Sequence, residues 1–184
     1  MSAEPQDPIA ATERWLQRAV IGLNLCPFAK AVVAKKQVRF VLSDAVTPED
    51  LLQTLGEELA LLRDTPADQV DTTLIVHPQV LTDFLDYNDF LDLADGLVES
   101  MELEGVLQVA SFHPDYQFAG SEADDIANFT NRSPYPTLHL LREDSVERAV
   151  AAFPDPDAIV ERNIETLTRL GHEGWRRTVG DSAS

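Results

Sequence analysis

The chain has 184 residues, 44% hydrophobic and 25% charged, the makeup of a globular domain long enough to bury a sizeable core. Acidic residues outnumber basic ones 32 to 14, a net charge of -18, and no Lys or Arg lies between Arg63 and Arg132. Such a field repels phosphate backbones and anionic lipid heads, which argues against nucleic acid and membrane partners, and the surplus charge reads as a solubility device.

The opening MSAEPQDP has neither a basic nor an apolar segment of the signal-peptide kind, and no apolar run reaches the length of a membrane span. Asp7-Pro8 is a helix start, Asp as cap and Pro in the first turn, and Ile9, Leu16, Ala19, Val20 and Leu23 recur at helical spacing. The N-terminal helix is therefore expected over 7–25, ending before Pro27. Cys26, the only cysteine, can form no intrachain disulfide, so a cytoplasmic, reducing setting is expected.

Residues 37–142 read as a sheet with its crossover helices. Strands are predicted at Gln37–Leu42, Val70–His77, Val106–Phe112 and Pro136–Leu141. Thr47-Pro48-Glu49-Asp50 starts a helix with Leu51, Leu52, Leu55, Leu59 and Leu62 on one face. Thr82 is the expected cap of the next, whose Phe90, Leu91, Ala94, Leu97 and Val98 cluster opposite a solvated Asp89, Asp92 and Asp95. Over 145–171 two further helices are expected, one from Ser145 and one capped by Asp155-Pro156. The second has Ile159, Val160, Ile164, Leu167 and Leu170 as its buried stripe and Gly171 as its stop, and a frayed tail follows over 176–184. This order gives a single α/β domain over 1–184: a four-stranded mixed sheet with a parallel core and an antiparallel fourth strand.

The third and fourth strands are joined by a long loop, 113–136, HPDYQFAGSEADDIANFTNRSPYP. Roughly two dozen residues exceed what a connection needs, and such loops are functional or disordered. The aromatic content of this one favours a packed, polar-lined structure. Two strands end alike, His77-Pro78 and His113-Pro114, which places both imidazoles at the carboxyl edge of the sheet, where α/β ligands bind.

His113, Asp115 and Tyr116 have the makings of an acid/base cluster, and Asp125 beside Asp124 is either a cation ligand, a perturbed carboxyl or a helix cap. Asn131, Arg132 and Ser133 form the one basic island of the region, suited to an anion or to an internal ion pair. Asn128 is a positioning donor. His139 faces away from Leu138 and Leu140, half-exposed or lining a pocket, and Arg142 ends the same strand. Cys26 and Lys30 are placed in the pocket wall, the thiol disfavoured as a nucleophile by the helix end it follows. No glycine-rich phosphate loop, nucleophile elbow or local metal motif occurs, so cofactor and metal stay unassigned.

Three blocks, WLQRAVIGLNLCPFAK (15–30), HPQVLTDFLDYNDFLD (77–92) and SFHPDYQFAGSEADDIANFTNRSPYPTLHLLR (111–142), resemble the bacterial family called domain of unknown function 1415. The resemblance implies a bacterial, intracellular, single-domain protein and brings no activity, cofactor or residue role with it. From the residues, the expected function is a small-molecule enzyme or ligand-processing domain with a polar pocket at the sheet's carboxyl edge. Its ligand is small and, with Arg132 as clamp, an anion is among the options. The alternatives are a binding or regulatory module that engages a basic protein, and a loop that acts purely as a structural plug. Oligomeric state is not legible.

Overall fold

The structure, a computed structural model, describes residues 7–152 and 155–180. Four strands, β1 (Val38–Leu42), β2 (Thr72–Val76), β3 (Leu107–Phe112) and β4 (Thr137–Arg142), form one sheet in the spatial order β1-β2-β4-β3. Strands β1 and β2 are parallel, and β4 is antiparallel to both of its neighbours. The mixed sheet matches the sequence expectation. Its parallel part is the pair β1–β2, because β4 enters between β2 and β3 instead of adding at an edge.

The helices are α1 (Pro8–Trp15), α2 (Ala29–Ala34), α3 (Pro48–Asp64), α4 (Phe84–Ser100), α5 (Glu143–Ala152) and α6 (Pro156–Val179). A π-helical turn, Leu16–Ile21, extends α1, and a 3-10 helix, Ile126–Asn131, sits inside the long loop. Short side chains cap the starts as expected: Asp7 accepts from the Ile9 N–H at 3.0 Å and Thr47 from that of Asp50 at 3.2 Å. For α4 the cap is Asp83, one residue after the predicted Thr82, since its carboxylate reaches the N–H groups of both Leu85 and Asp86. Helix α5 begins two residues before Ser145, whose hydroxyl donates instead to Asp71 at 2.6 Å.

Alternation along the strands gives the sheet two unlike faces. On one, Ile75, Leu138, Leu140 and Leu107 meet Leu51, Leu55, Leu59 and Leu62 of α3 and Tyr87, Phe90, Ala94 and Val98 of α4, all buried. Arg39 and Glu58 clasp β1 to α3 through two contacts of 2.9 and 3.3 Å. The other face meets Trp15, Leu16, Ala19 and Val20, and these in turn meet Leu167 and Trp175 of α6.

Helix α6 corrects two expectations. Its buried side centres on Leu167 and on Asn163, which donates to the Leu25 carbonyl at 2.8 Å, while Val160 and Ile164 are 57% and 43% exposed. The buried polar anchor at Asn163 sets the rotation of the helix and turns those two residues outward. Gly171, at φ 71° and ψ 173°, breaks the rod in a conformation open to glycine alone. The chain then winds on to Val179 and buries Trp175, so the expected tail is helical up to that residue, and 181–184 lie outside the described residues.

Tyr87 is the joint of the edge. Its hydroxyl donates to the Thr137 carbonyl at 2.7 Å and accepts from the Phe112 N–H at 3.1 Å, holding the end of β3 against the start of β4. Removing it in Tyr87→Phe strands a buried carbonyl and N–H, and should cost about 1–3 kcal/mol of stability in urea unfolding. A loss under about 0.5 kcal/mol would show that the edge holds without this hydroxyl.

Candidate functional site

Both strand-end histidines lie at the carboxyl edge, fully buried and bracketing Tyr87. The His77 ring stacks on that of Tyr87 at 5.8 Å, and the His113 ring lies 4.9 Å from it on the other side. His77 Nδ1 bonds the Val80 carbonyl at 3.0 Å, and its Nε2 is buried with no partner among the described residues. Burial pushes its pKa down to about 4 against the pull of that bond, so the ring is neutral at pH 7. His113 Nδ1 accepts from the Asp115 N–H at 3.0 Å, which leaves Nε2 as the donor to the Leu81 carbonyl at 3.0 Å. Both of its nitrogens are thus engaged by backbone. Desolvation also lowers the pKa of this ring.

The rest of the loop is bonded mainly to itself. Asn128 is buried and accepts from the Phe118 N–H and the Ser121 hydroxyl, while its amide donates to the Glu122 carbonyl. Asp125 caps the 3-10 helix through the Ala127 N–H, and Asn131 donates to the Ser111 carbonyl. Arg132 donates to the carbonyls of Tyr116 and Ala123 at 3.0 and 2.6 Å and lies 4.5 Å above the Phe129 ring. The Tyr116 ring packs on Phe84 and Phe118. His172 of α6 fastens the loop from outside, through the Asp124 carbonyl and the edge of Phe129.

Over this knot lies an open dish of about 730 Å³, in which Asp115 and Arg132 join Thr82, Asp83 and Gln117. The structure therefore brings Asp115, Arg132, His113 and Tyr116 to one edge, with the last two packed beneath its rim. Arg142 stands elsewhere and closes the end of α3, donating to the carbonyls of Leu62, Thr65 and Val70.

A second space lies under the opposite face of the sheet. It is a chamber of about 390 Å³, floored by Leu74, Ala110, Phe112 and His139 and roofed by Trp15, Val20, Cys26, Val33, Val146 and Ala149. Its wall is almost wholly apolar; the exceptions are Asp71, Thr72, Gln108, His139, Ser145 and Cys26. Cys26 and Lys30, expected in the wall of a pocket at the carboxyl edge, are both absent from the dish there; Cys26 lines this chamber instead, and Lys30 is exposed outside it. His139 is half-buried and lines the chamber. Burial alone takes its pKa down to about 4.

His139 lies on the sheet face opposite Leu138 and Leu140, as strand alternation implies, whereas Trp15 in the roof was not singled out from the sequence, its i, i+4 relation to Ala19 being the available signal. Among the described residues no group of three or more His, Cys, Asp or Glu side chains is arranged to hold a metal ion. No described helix is long and apolar enough to cross a membrane.

A family model described as "Protein of unknown function (DUF1415)" matches residues 7–177. No curated protein and no solved structure matches the chain.

His77 and His139 give the protein an acid-side instability. Unfolded, each imidazole takes up its proton near pH 6.5; folded, each waits until about pH 4. Between these values the unfolded chain binds more protons, so stability falls as pH falls, at up to about 1.4 kcal/mol per pH unit for each ring. Urea unfolding at pH 7 and pH 5 should show this slope, reduced by one histidine's share in His139→Leu. An unchanged slope in that variant would mean that His139 takes up its proton at the same pH folded as unfolded.

Proposed function

Because the chain belongs to the DUF1415 family, whose description assigns no activity, we propose from its geometry that it is a binding domain for a small, mainly apolar molecule held in the chamber between the sheet and the N-terminal helices. One observation carries this reading: about 390 Å³ of space, walled by apolar side chains, inside a domain whose other sheet face is closely filled. The space is a partly open cleft whose apolar walls face water when it is empty, and an apolar occupant would remove that surface from water. The volume falls in the usual range for small-molecule sites, about 300–1,000 Å³, and a few polar groups among apolar walls is their usual makeup. Water gains little there, since it needs several polar partners to be held.

The reading keeps the small-molecule function expected from the sequence and moves it from the carboxyl edge to the opposite face. His113, Asn128, Asn131 and Arg132 are engaged by backbone at that edge, which supports a scaffold role for the loop. We place the protein in a reducing bacterial cytoplasm, supported by its single cysteine. A second reading, contact with a basic protein, has one observation in its favour. Leu85 and Leu93 of α4 are 72% and 56% exposed and share an arc with Asp86, Asp89 and Asp92.

A thermal-shift screen with neutral apolar probes tests the proposal. A probe present at a hundred times its Kd adds about 2.7 kcal/mol, a rise in Tm of roughly 5–10 °C for a domain of this size. Ala110→Phe on the floor, or Ala149→Phe on the roof, fills the space and should abolish the rise while keeping the fold. Absence of any shift, or a shift that survives both substitutions, would overturn the proposal.

A further inference from the structure

Resting on the chamber as the ligand site, we infer that His139 is its recognition point and that the ligand is a neutral molecule carrying a hydrogen-bond donor, a hydroxyl or N–H, on an apolar body. The inference comes from counting protons. Thr72 has one hydroxyl proton and gives it to the Leu140 carbonyl at 2.6 Å. In the 2.7 Å contact between Thr72 Oγ1 and His139 Nε2, the ring must therefore be the donor. A neutral imidazole has one proton. With that proton on Nε2, Nδ1 is a bare acceptor.

Among the described residues nothing uses that acceptor. Nδ1 has no hydrogen-bond partner among the described residues, and it is not among their sealed, unpartnered polar atoms, which are Trp15 Nε1, Thr73 Oγ1 and His77 Nε2. It therefore opens onto the space that the ring lines. The tautomer is locked as well. Moving the proton to Nδ1 would set the Nε2 lone pair against a Thr72 oxygen whose own proton is committed to β4. The site thus asks for a donor and offers none from this ring.

Charge narrows the class further. Among the described residues no Lys or Arg lines the chamber, and the one formal charge there, Asp71, accepts the Ser145 hydroxyl at 2.6 Å. An anionic ligand would be buried there with no counter-charge and against a lone pair, a costly arrangement. An alcohol, a phenol or an amide meets no such penalty.

The test uses three probes of matched chain length, 1-octanol, its methyl ether and octanoate, measured by calorimetry on the full chain at pH 7.5. The ring nitrogens of His139 are followed by nitrogen-15 resonance. Octanol should bind about tenfold tighter than the ether, the worth of one buried hydrogen bond, with octanoate the weakest. In His139→Leu the ether should still bind and the advantage of the alcohol should fall to within about twofold. The Nδ1 resonance should move with octanol and stay put with the ether. Equal binding of alcohol and ether by the wild type, octanoate as the tightest probe, or an unmoved Nδ1 would overturn the inference. If His139→Leu does not fold, the wild-type ratio and the Nδ1 resonance decide alone. Equal binding that Ala110→Phe abolishes would leave the chamber standing and remove only His139; no binding of any probe would remove both.

Discussion

The fold depends on how β4 is admitted between two strands that point the same way. Strand β3 ends and β4 begins side by side, paired at Phe112 and Thr137, so the chain between them must leave the sheet and return to the place it left. At that point the ladder stops and backbone groups need partners. The Tyr87 hydroxyl serves Phe112 and Thr137, the His77 N–H serves the Pro136 carbonyl, and the His113 N–H serves that of Asn131. Unpaired buried groups here would cost far more than ordinary hydrogen bonds return, so residues 77, 87 and 113 are constrained by the insertion before any ligand is considered.

That constraint accounts for the character of the loop. An excursion whose two ends are pinned together forms a compact surface loop, and its own side chains must supply its interior. Asn128 does this at the centre, bonding three groups of the loop, and Arg132 spans it from Tyr116 to Ala123 over the face of Phe129. The polar richness that made the segment conspicuous in the sequence is largely the cost of folding a long excursion without a hydrophobic core of its own. The kink at Gly171 completes the arrangement by bringing His172 and Trp175 against Phe129.

Much of this was legible in local pattern and little of it in long-range pairing. The strands fall within about two residues of their predicted runs, because β-branched stretches bounded by Pro and Asp report strands directly. The caps at Asp7, Thr47 and Asp155 and the leucine face of α3 were equally plain. His139 was readable as facing away from the core leucines, by strand alternation alone. The place of β4 in the sheet was not readable, and neither was Tyr87, since a tyrosine in an acidic stretch gives no sign of the two backbone groups it will serve. Val160 and Ile164 misled because periodicity finds an apolar stripe without knowing that Asn163, beside it, has a buried carbonyl to satisfy. The chamber had no sequence signal, being a space left between elements.

Why one face is full and the other hollow follows from what covers each. Helices α3 and α4, of 17 residues each, lay long leucine and aromatic rows on the first face. The second is covered by Trp15, Leu16 and Val20 at its N-terminal side and elsewhere only by α2 and α5, of six and ten residues, which offer mainly alanine and valine, and its floor includes Ala110, Thr72 and His139. Small side chains on short helices cannot reach the floor, and filling the gap would have needed only larger aliphatic residues at positions such as 110 and 149. Instead the floor has an imidazole whose one proton is committed to Thr72. Among the described residues, His113 is satisfied at both nitrogens by backbone, and the unpartnered Nε2 of His77 is sealed in the interior, whereas Nδ1 of His139 is neither bonded nor sealed. The contrast between His113, closed by backbone, and His139, open toward a space, is the physical ground for the role proposed for the second.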